Sequence, residues 1–199
     1  MNLGYARTSP MRLCLLYLEQ AALEASRARQ NPQRWFFAAP EMHRALNCAL
    51  VAALSGSEGI GAYPEKARKK WIDHFDKENW PDIPCPSEDR VESFTALLKR
   101  AQNPSDPWMS GHPIRLTESQ RADLAALTEL RDDMEHVKPR GWSIEVAGLP
   151  RMLAAAADAI EQILQEPRCR TELDEEDEGR AERAITCIRD LASSAGNEV

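Results

Sequence analysis

Apolar residues recur along this chain at three- and four-residue intervals, and the two-residue alternation of a half-buried strand is not found. Ser9-Pro10 reads as an N-cap with proline in the first helical turn, opening a helix with Leu13, Leu16, Tyr17 and Leu23 inward. Asn31-Pro32 repeats the device. The helix after it carries Met42, Ala45, Leu46, Ala49, Leu50, Ala53 and Leu54 on one face, widened by Cys48, Val51 and Ala52, which predicts the central helix of the fold. Pro40 is expected to kink it or to set the Trp35-Phe36-Phe37 turn apart. Gly56, Gly59 and Gly61 break the chain afterwards.

Pro64 to Glu78 predicts a short helix burying Ala67, Trp71, Ile72 and Phe75. After a proline-rich loop, Ser87 is expected to cap a helix with Val91, Phe94, Leu97, Leu98 and Ala101 inward. Thr117-Glu118-Ser119-Gln120 matches a capping box. Its helix buries Leu124, Leu127, Leu130, Met134 and Val137 and is stopped by Lys138-Pro139. Pro150 starts another helix, with Leu153, Ala156, Ile160, Ile163 and Leu164 on one side; a last one uses Ala184, Ile185, Ile188 and Leu191. The fold class is therefore all-α, a helical bundle, with one helical domain over residues 1–170 and an acidic linker and C-terminal helix over 171–199.

Charge refines this division. Of the net charge of −7, the segment from Thr171 to Val199 carries −6, which leaves the other 170 residues near neutral. Basic clusters at Arg27 to Arg34, Lys66 to Lys70 and Lys138 to Arg140 permit a local phosphate site but form no basic stripe. The acidic run reads as a solvated linker or helix start. Five scattered cysteines without a C-x-x-C pair suggest free thiols in a reducing, cytoplasmic setting. The apolar run Leu13 to Leu18 is too short to span a bilayer, so no membrane association is expected.

Several chemistries are disfavoured. The Ser55 to Gly61 glycines follow a helix rather than a strand and lack the lysine of a phosphate loop. The four histidines (His43, His74, His112, His136) show no metal-ligand spacing, and there is no G-x-S-x-G elbow. Neither a metal nor a cofactor is expected. The chemically suggestive stretch is Arg131-Asp132-Asp133-Met134-Glu135-His136, at the end of the capped helix. Arginine can grip a phosphate bidentately and histidine can exchange a proton near neutral pH. Those are the two functions needed to cleave an RNA phosphodiester without metal.

Residues five apart on a straight helix point about 140° away from each other. Arg131 and His136 can therefore meet at one atom only if the last turn unwinds or a second copy supplies part of the site. Asp132 and His136 share a face, where the carboxylate can orient the imidazole or simply form a surface ion pair. Arg68 and His74 also form an arginine–spacer–histidine pattern, with five residues between them rather than four and without the context of a long capped helix. His43 lies beside the apolar stripe, shares a face with Asn47, and reads as a buried, hydrogen-bonded histidine.

The stretch Leu130 to His136, followed by Lys138-Pro139-Arg140-Gly141-Trp142-Ser143 and by Gly148-Leu149-Pro150-Arg151, resembles a family of uncharacterised bacterial proteins. Its members carry L-R-N-x-x-x-H-F-x-P-K-G-W-S and then G-L-P-R. Trp35 and the run from His43 to Gly56 extend the likeness to roughly residues 31–165. More broadly, the arginine–polar–spacer–histidine pattern is similar to that of the HEPN superfamily, helical bundles that are often dimeric and include metal-independent endoribonucleases of toxin–antitoxin and phage-defence systems. Asp132 stands where asparagine is commoner, Met134 where an aromatic is usual, Val137 in place of phenylalanine, and Arg44 where an asparagine usually follows the upstream histidine.

The resemblance implies a HEPN-like antiparallel bundle with additional helices, forming a homodimer. Arg131 would clamp phosphate, His136 act as general base or acid, and Asp132 orient it. Lys138, Arg140 and Trp142 would contact RNA, and an antitoxin or other regulatory protein is an expected partner. The alternative is a non-catalytic HEPN-like dimer that binds a partner protein or nucleotide, its arginine and histidine serving the subunit interface.

Overall fold

The structure is a computed structural model that describes residues 6–77, 82, 84–86, 90–109, 112–136, 139, 141 and 143–196. The described residues form eight α-helices and no strand: α1 (Pro10–Ala28), α2 (Trp35–Ser55), α3 (Glu65–Phe75), α4 (Phe94–Ala101), α5 (Glu118–Glu135), α6 (Leu149–Leu164), α7 (Pro167–Arg170) and α8 (Glu175–Gly196). Local chemistry starts several of them. Ser9 caps α1 by accepting the Arg12 amide, with Pro10 in the first turn. Thr117 and Gln120 complete the capping box of α5. Ser93, not Ser87, caps α4; the Ser87 position lies outside the described residues.

Helix α2 is the hub, packed against α1, α4, α5 and α6, and α8 closes the bundle against α1 and α6. Met42, Leu46, Leu50 and Leu54 run fully buried down α2. Truncating such a leucine to alanine costs about 2–5 kcal/mol, because the lost transfer energy adds to that of the cavity left behind. Helices α1 and α2 pack together, and both bury small side chains, Ala21, Ala25 and Ala28 on α1 and Ala38, Ala45 and Ala49 on α2. Pro40 does not interrupt α2, which runs unbroken from Trp35. A proline in the second turn removes only one intrahelical bond. Asn31 instead caps a short 3-10 turn, Pro32–Arg34, ahead of it.

Three faces differ from those the pattern predicts. On α1, Leu16 (52%) and Leu23 (45%) are exposed, while Met11, Cys14, Leu15, Leu18 and the alanines are buried. On α3, Ile72 is exposed and His74 is buried beside Ala67. Val91 precedes α4 and is exposed. The acidic residues from Glu175 to Glu178 form the first turn of α8, where carboxylates meet the positive end of the helix dipole. The apolar face of α8, with Ala181, Ala184, Ile185 and Ile188, belongs to the common core. Arg189 locks α8 to α6 through Asp158 and Glu161 at 2.6–2.9 Å.

The link from α2 to α3 depends on glycine at two positions. Gly56 adopts φ 68°, and a Cβ there would meet the Trp108 ring at 2.6 Å. Gly61 is pressed against the Leu54 carbonyl and the same ring. Arg100 ties this link to the segment after α4, donating to Asp106 at 2.9 and 3.3 Å and to the Gly61 carbonyl at 2.7 Å. The second arginine–histidine pair, Arg68 and His74, has a structural place: Arg68 donates to the Tyr63 carbonyl at 2.5 Å, and His74 is buried in an aromatic cluster with Trp71 and Phe75. Among the described residues, no helix is long and apolar enough to cross a membrane.

Candidate functional site: the end of α5 against α2

The capping box fixes where α5 begins, and its register then carries Arg131 to the last turn on the side facing α2. Arg131 is half-buried, and its Nη1 donates to Asp132 Oδ1 at 2.7 Å and lies 3.3 Å from Glu135 Oε2. The other oxygen of Glu135 accepts from Arg44 on α2 at 3.4 Å, and Arg44 also pairs with Glu41 at 2.7 Å. Glu135 thus bridges the two helices. The resulting chain is Glu41–Arg44–Glu135–Arg131–Asp132, two cations among three carboxylates.

His136 leaves the helix. Its amide still bonds the Asp132 carbonyl at 3.2 Å, but its backbone (φ −98°, ψ 81°) ends α5, and its side chain is exposed. Because α5 stays regular up to Glu135, the side chains of Arg131 and His136 leave the helix in different directions. The Asp132 carboxylate, which the sequence places on the His136 face, accepts from Arg131. Lys138, Arg140 and Trp142, the expected RNA contacts, lie outside the described residues.

The imidazole that α2 brings towards Arg131 is that of His43. It is 1% exposed, inside the face predicted for the central helix, and its ring packs on Phe94 of α4 with centroids 4.2 Å apart. The expected hydrogen bonds are not found: among the described residues, neither Nδ1 nor Nε2 of His43 has a partner, and neither does the buried Nε of Arg131. Burial lowers the His43 pKa from 6.5 to about 4, helped by the Arg131 charge and opposed by Asp132 and Glu135. The ring is therefore neutral at physiological pH, with one nitrogen donating and the other accepting.

Phe94 also lines a groove of about 340 Å³ between α4 and α5, with Leu98, Leu124 and Ala125 and the charged residues Lys99, Arg121 and Glu129. Sequence reasoning found Arg131 and His136 but missed that Glu135 joins Arg131 to Arg44 of α2. The available signal was Glu41 and Arg44, charged residues one helical turn apart on a helix otherwise reading as core.

Burial raises the Cys14 thiol far above its ordinary value and the Cys169 thiol to about 12, which keeps both protonated. Among the described residues, no group of three or more His, Cys, Asp or Glu side chains is arranged to hold a metal ion. No protein-family model, curated protein or solved structure matches this chain.

Proposed function

We propose that this chain is a HEPN-like, metal-independent endoribonuclease that acts as a homodimer in the cytoplasm under the control of an antitoxin or other regulatory protein. Arg131 holds a phosphoryl oxygen. His136, as general base or acid, moves a proton at the 2′-hydroxyl or the departing 5′-oxygen, and Asp132 orients the pair. Lys138, Arg140 and Trp142 contact the RNA. The observation carrying this reading is the release of His136 from α5 as an exposed side chain directly after the turn that holds Arg131. The two leave one helix in diverging directions, so apposing the α5 ends of two copies is the arrangement that would set Arg131 of one beside His136 of the other.

A second reading, a non-catalytic HEPN-like dimer binding a partner protein or nucleotide, is favoured by one specific observation. The carboxylates of Asp132 and Glu135 already neutralise Arg131. A phosphate drawn to Arg131 has to compete with both carboxylates, which pair with the same Nη1. Incubating the protein with RNA in EDTA, beside His136→Ala and Arg131→Ala, decides between the readings. The nuclease cleaves without metal and loses about 100-fold or more in each variant, the usual share of acid–base catalysis. Equal turnover by all three proteins, or by none, removes the nuclease and leaves the scaffold.

A further inference from the structure

The first half of α2 reaches the surface along one strip only. From Phe37 to Arg44 every residue is buried except Phe37, Glu41 and Arg44. With Arg34 just ahead of the helix, these positions follow the three- and four-residue spacing of a single helical face. The far end of the strip joins the site at the end of α5, because Arg44 pairs with Glu41 and with Glu135, which holds Arg131. The near end is Phe37. At 55% it is the most exposed large apolar side chain among the described residues and the one aromatic ring in that group. A lone apolar side chain in water is ordinary. The setting of this one is not.

Two arginines stand beside the ring, fixed from behind. The Glu24 carboxylate on α1 is buried, and its oxygens accept from Gln20 at 3.2 Å, from Arg27 at 2.7 Å and from Arg34 at 3.3 Å. One carboxylate thus serves two guanidiniums and leaves a positive charge in excess. Each arginine binds it through Nη1, and Arg27 and Arg34 keep 50% and 40% of their side chains exposed. The Arg34 guanidinium carbon lies 5.8 Å from the centre of the Phe37 ring. An exposed aromatic face next to cations already held in place suits base stacking and phosphate binding together, at little cost in side-chain order.

We infer that this corner binds single-stranded RNA: a base stacks on Phe37, the adjoining phosphate sits against Arg34 and Arg27, and the strand continues along the α2 strip towards Arg131. A single strand is required because the bases of a duplex have no free face to offer. The span is suitable, since the seven-residue step from Phe37 to Arg44 covers about 10 Å along the helix, close enough for neighbouring nucleotides of one strand. Size and charge favour RNA over a protein partner. On its exposed side Phe37 is flanked one turn away by Arg34 and Glu41, so the apolar surface is one ring wide, whereas the core of a protein interface is a broader apolar patch. Stacking accepts any base, so the contact supplies affinity rather than sequence selection. The assignment rests on the reading of the chain as an RNA-cleaving protein and adds a substrate-binding residue to it, Phe37, which holds the strand to one side of the reacting phosphate.

The test is binding, kept apart from cleavage by working on the His136→Ala protein. Its affinity for a labelled single-stranded oligoadenylate is measured across a salt series, then again with Phe37→Ala, Phe37→Leu, Phe37→Tyr or Arg27→Gln added. Phe37→Ala and Phe37→Leu weaken binding about tenfold, which corresponds to about 1.4 kcal/mol, whereas Phe37→Tyr keeps an aromatic face and retains the affinity. Arg27→Gln lowers the slope of log affinity against log salt by about 0.7, the loss of one phosphate contact to a single strand. Because Phe37 is exposed, its variants fold, which thermal unfolding checks. Affinity indifferent to Phe37→Leu, a salt slope indifferent to Arg27→Gln, or no RNA binding at all overturns the assignment; the first of these leaves the exposed ring to a protein partner. RNA that binds through Phe37 yet stays intact with the wild-type protein sinks the nuclease reading alone and leaves this contact standing.

Discussion

Replacing His43 by leucine changes how stability depends on pH, and the size of the change follows from its burial. The folded-state pKa is lowered from 6.5 to about 4. Above pH 6.5 the residue is neutral in both folded and unfolded chains and has no effect on the balance. As the pH falls below 6.5 the unfolded chain takes up a proton that the folded chain refuses until about pH 4, so stability is lost across that interval. At about 1.4 kcal/mol per pH unit the whole loss is about 3 kcal/mol, and about 2 kcal/mol of it has occurred by pH 5. His43→Leu removes this contribution. Carboxylates held low by arginine partners, such as Asp106 and Glu161, titrate in both proteins and largely cancel in the difference.

Near neutral pH the leucine variant is expected to be as stable as the wild type or about 1 kcal/mol more so, because two unpaired buried nitrogens are exchanged for a methyl-bearing side chain of similar size. The assay is urea unfolding followed by circular dichroism at half-unit steps from pH 7.5 to 4.5, with the slope checked for two-state behaviour at each step. The difference between the two proteins should widen towards acid in favour of the variant. Stability curves that run parallel across this range would refute the reasoning, since His43 would then protonate as readily in the folded chain as in the unfolded one.

Two further outcomes test the frame around the site. Gly61→Ala places a methyl group against the Leu54 carbonyl and within 2.5 Å of the Trp108 ring, and should cost about 3 kcal/mol, the upper end of overpacking; adding Trp108→Ala should fail to restore stability, because the carbonyl remains. Arg189→Ala cuts the charged link from α8 to Asp158 and Glu161, and because all three side chains are partly exposed the global cost is about 1 kcal/mol; hydrogen exchange should show protection falling in α8 first, and uniform loss over the bundle would contradict its place at the edge of the fold.

Local chemistry wrote the helix starts into the sequence. Ser9-Pro10 and the Thr117–Gln120 box act within one turn of themselves, and so they read correctly without knowledge of the rest of the chain. The buried stripe of α2 was legible for a related reason: Met42, Leu46, Leu50 and Leu54 are large and evenly spaced, one helical turn apart. On α1 the same reasoning pointed Leu16 and Leu23 inward. Its buried face instead includes four alanines, Ala21, Ala22, Ala25 and Ala28, and a pattern weighted towards large side chains overlooks them. On α3 the buried position went to His74 rather than Ile72, because Trp71 and Phe75 pack around the imidazole.

By itself the sequence determined an all-helical chain, the helix that forms its centre, and the arginine and histidine that end α5. Tertiary structure alone decided what those two residues face. Glu135 joins Arg131 to Arg44, and His43 comes beside Arg131 from 88 positions upstream with Phe94 laid across it. Periodicity reports which side of a helix is apolar; it carries no information about which residue of a distant helix is pressed against that side. Pairings of this kind arise only when several helices share one core.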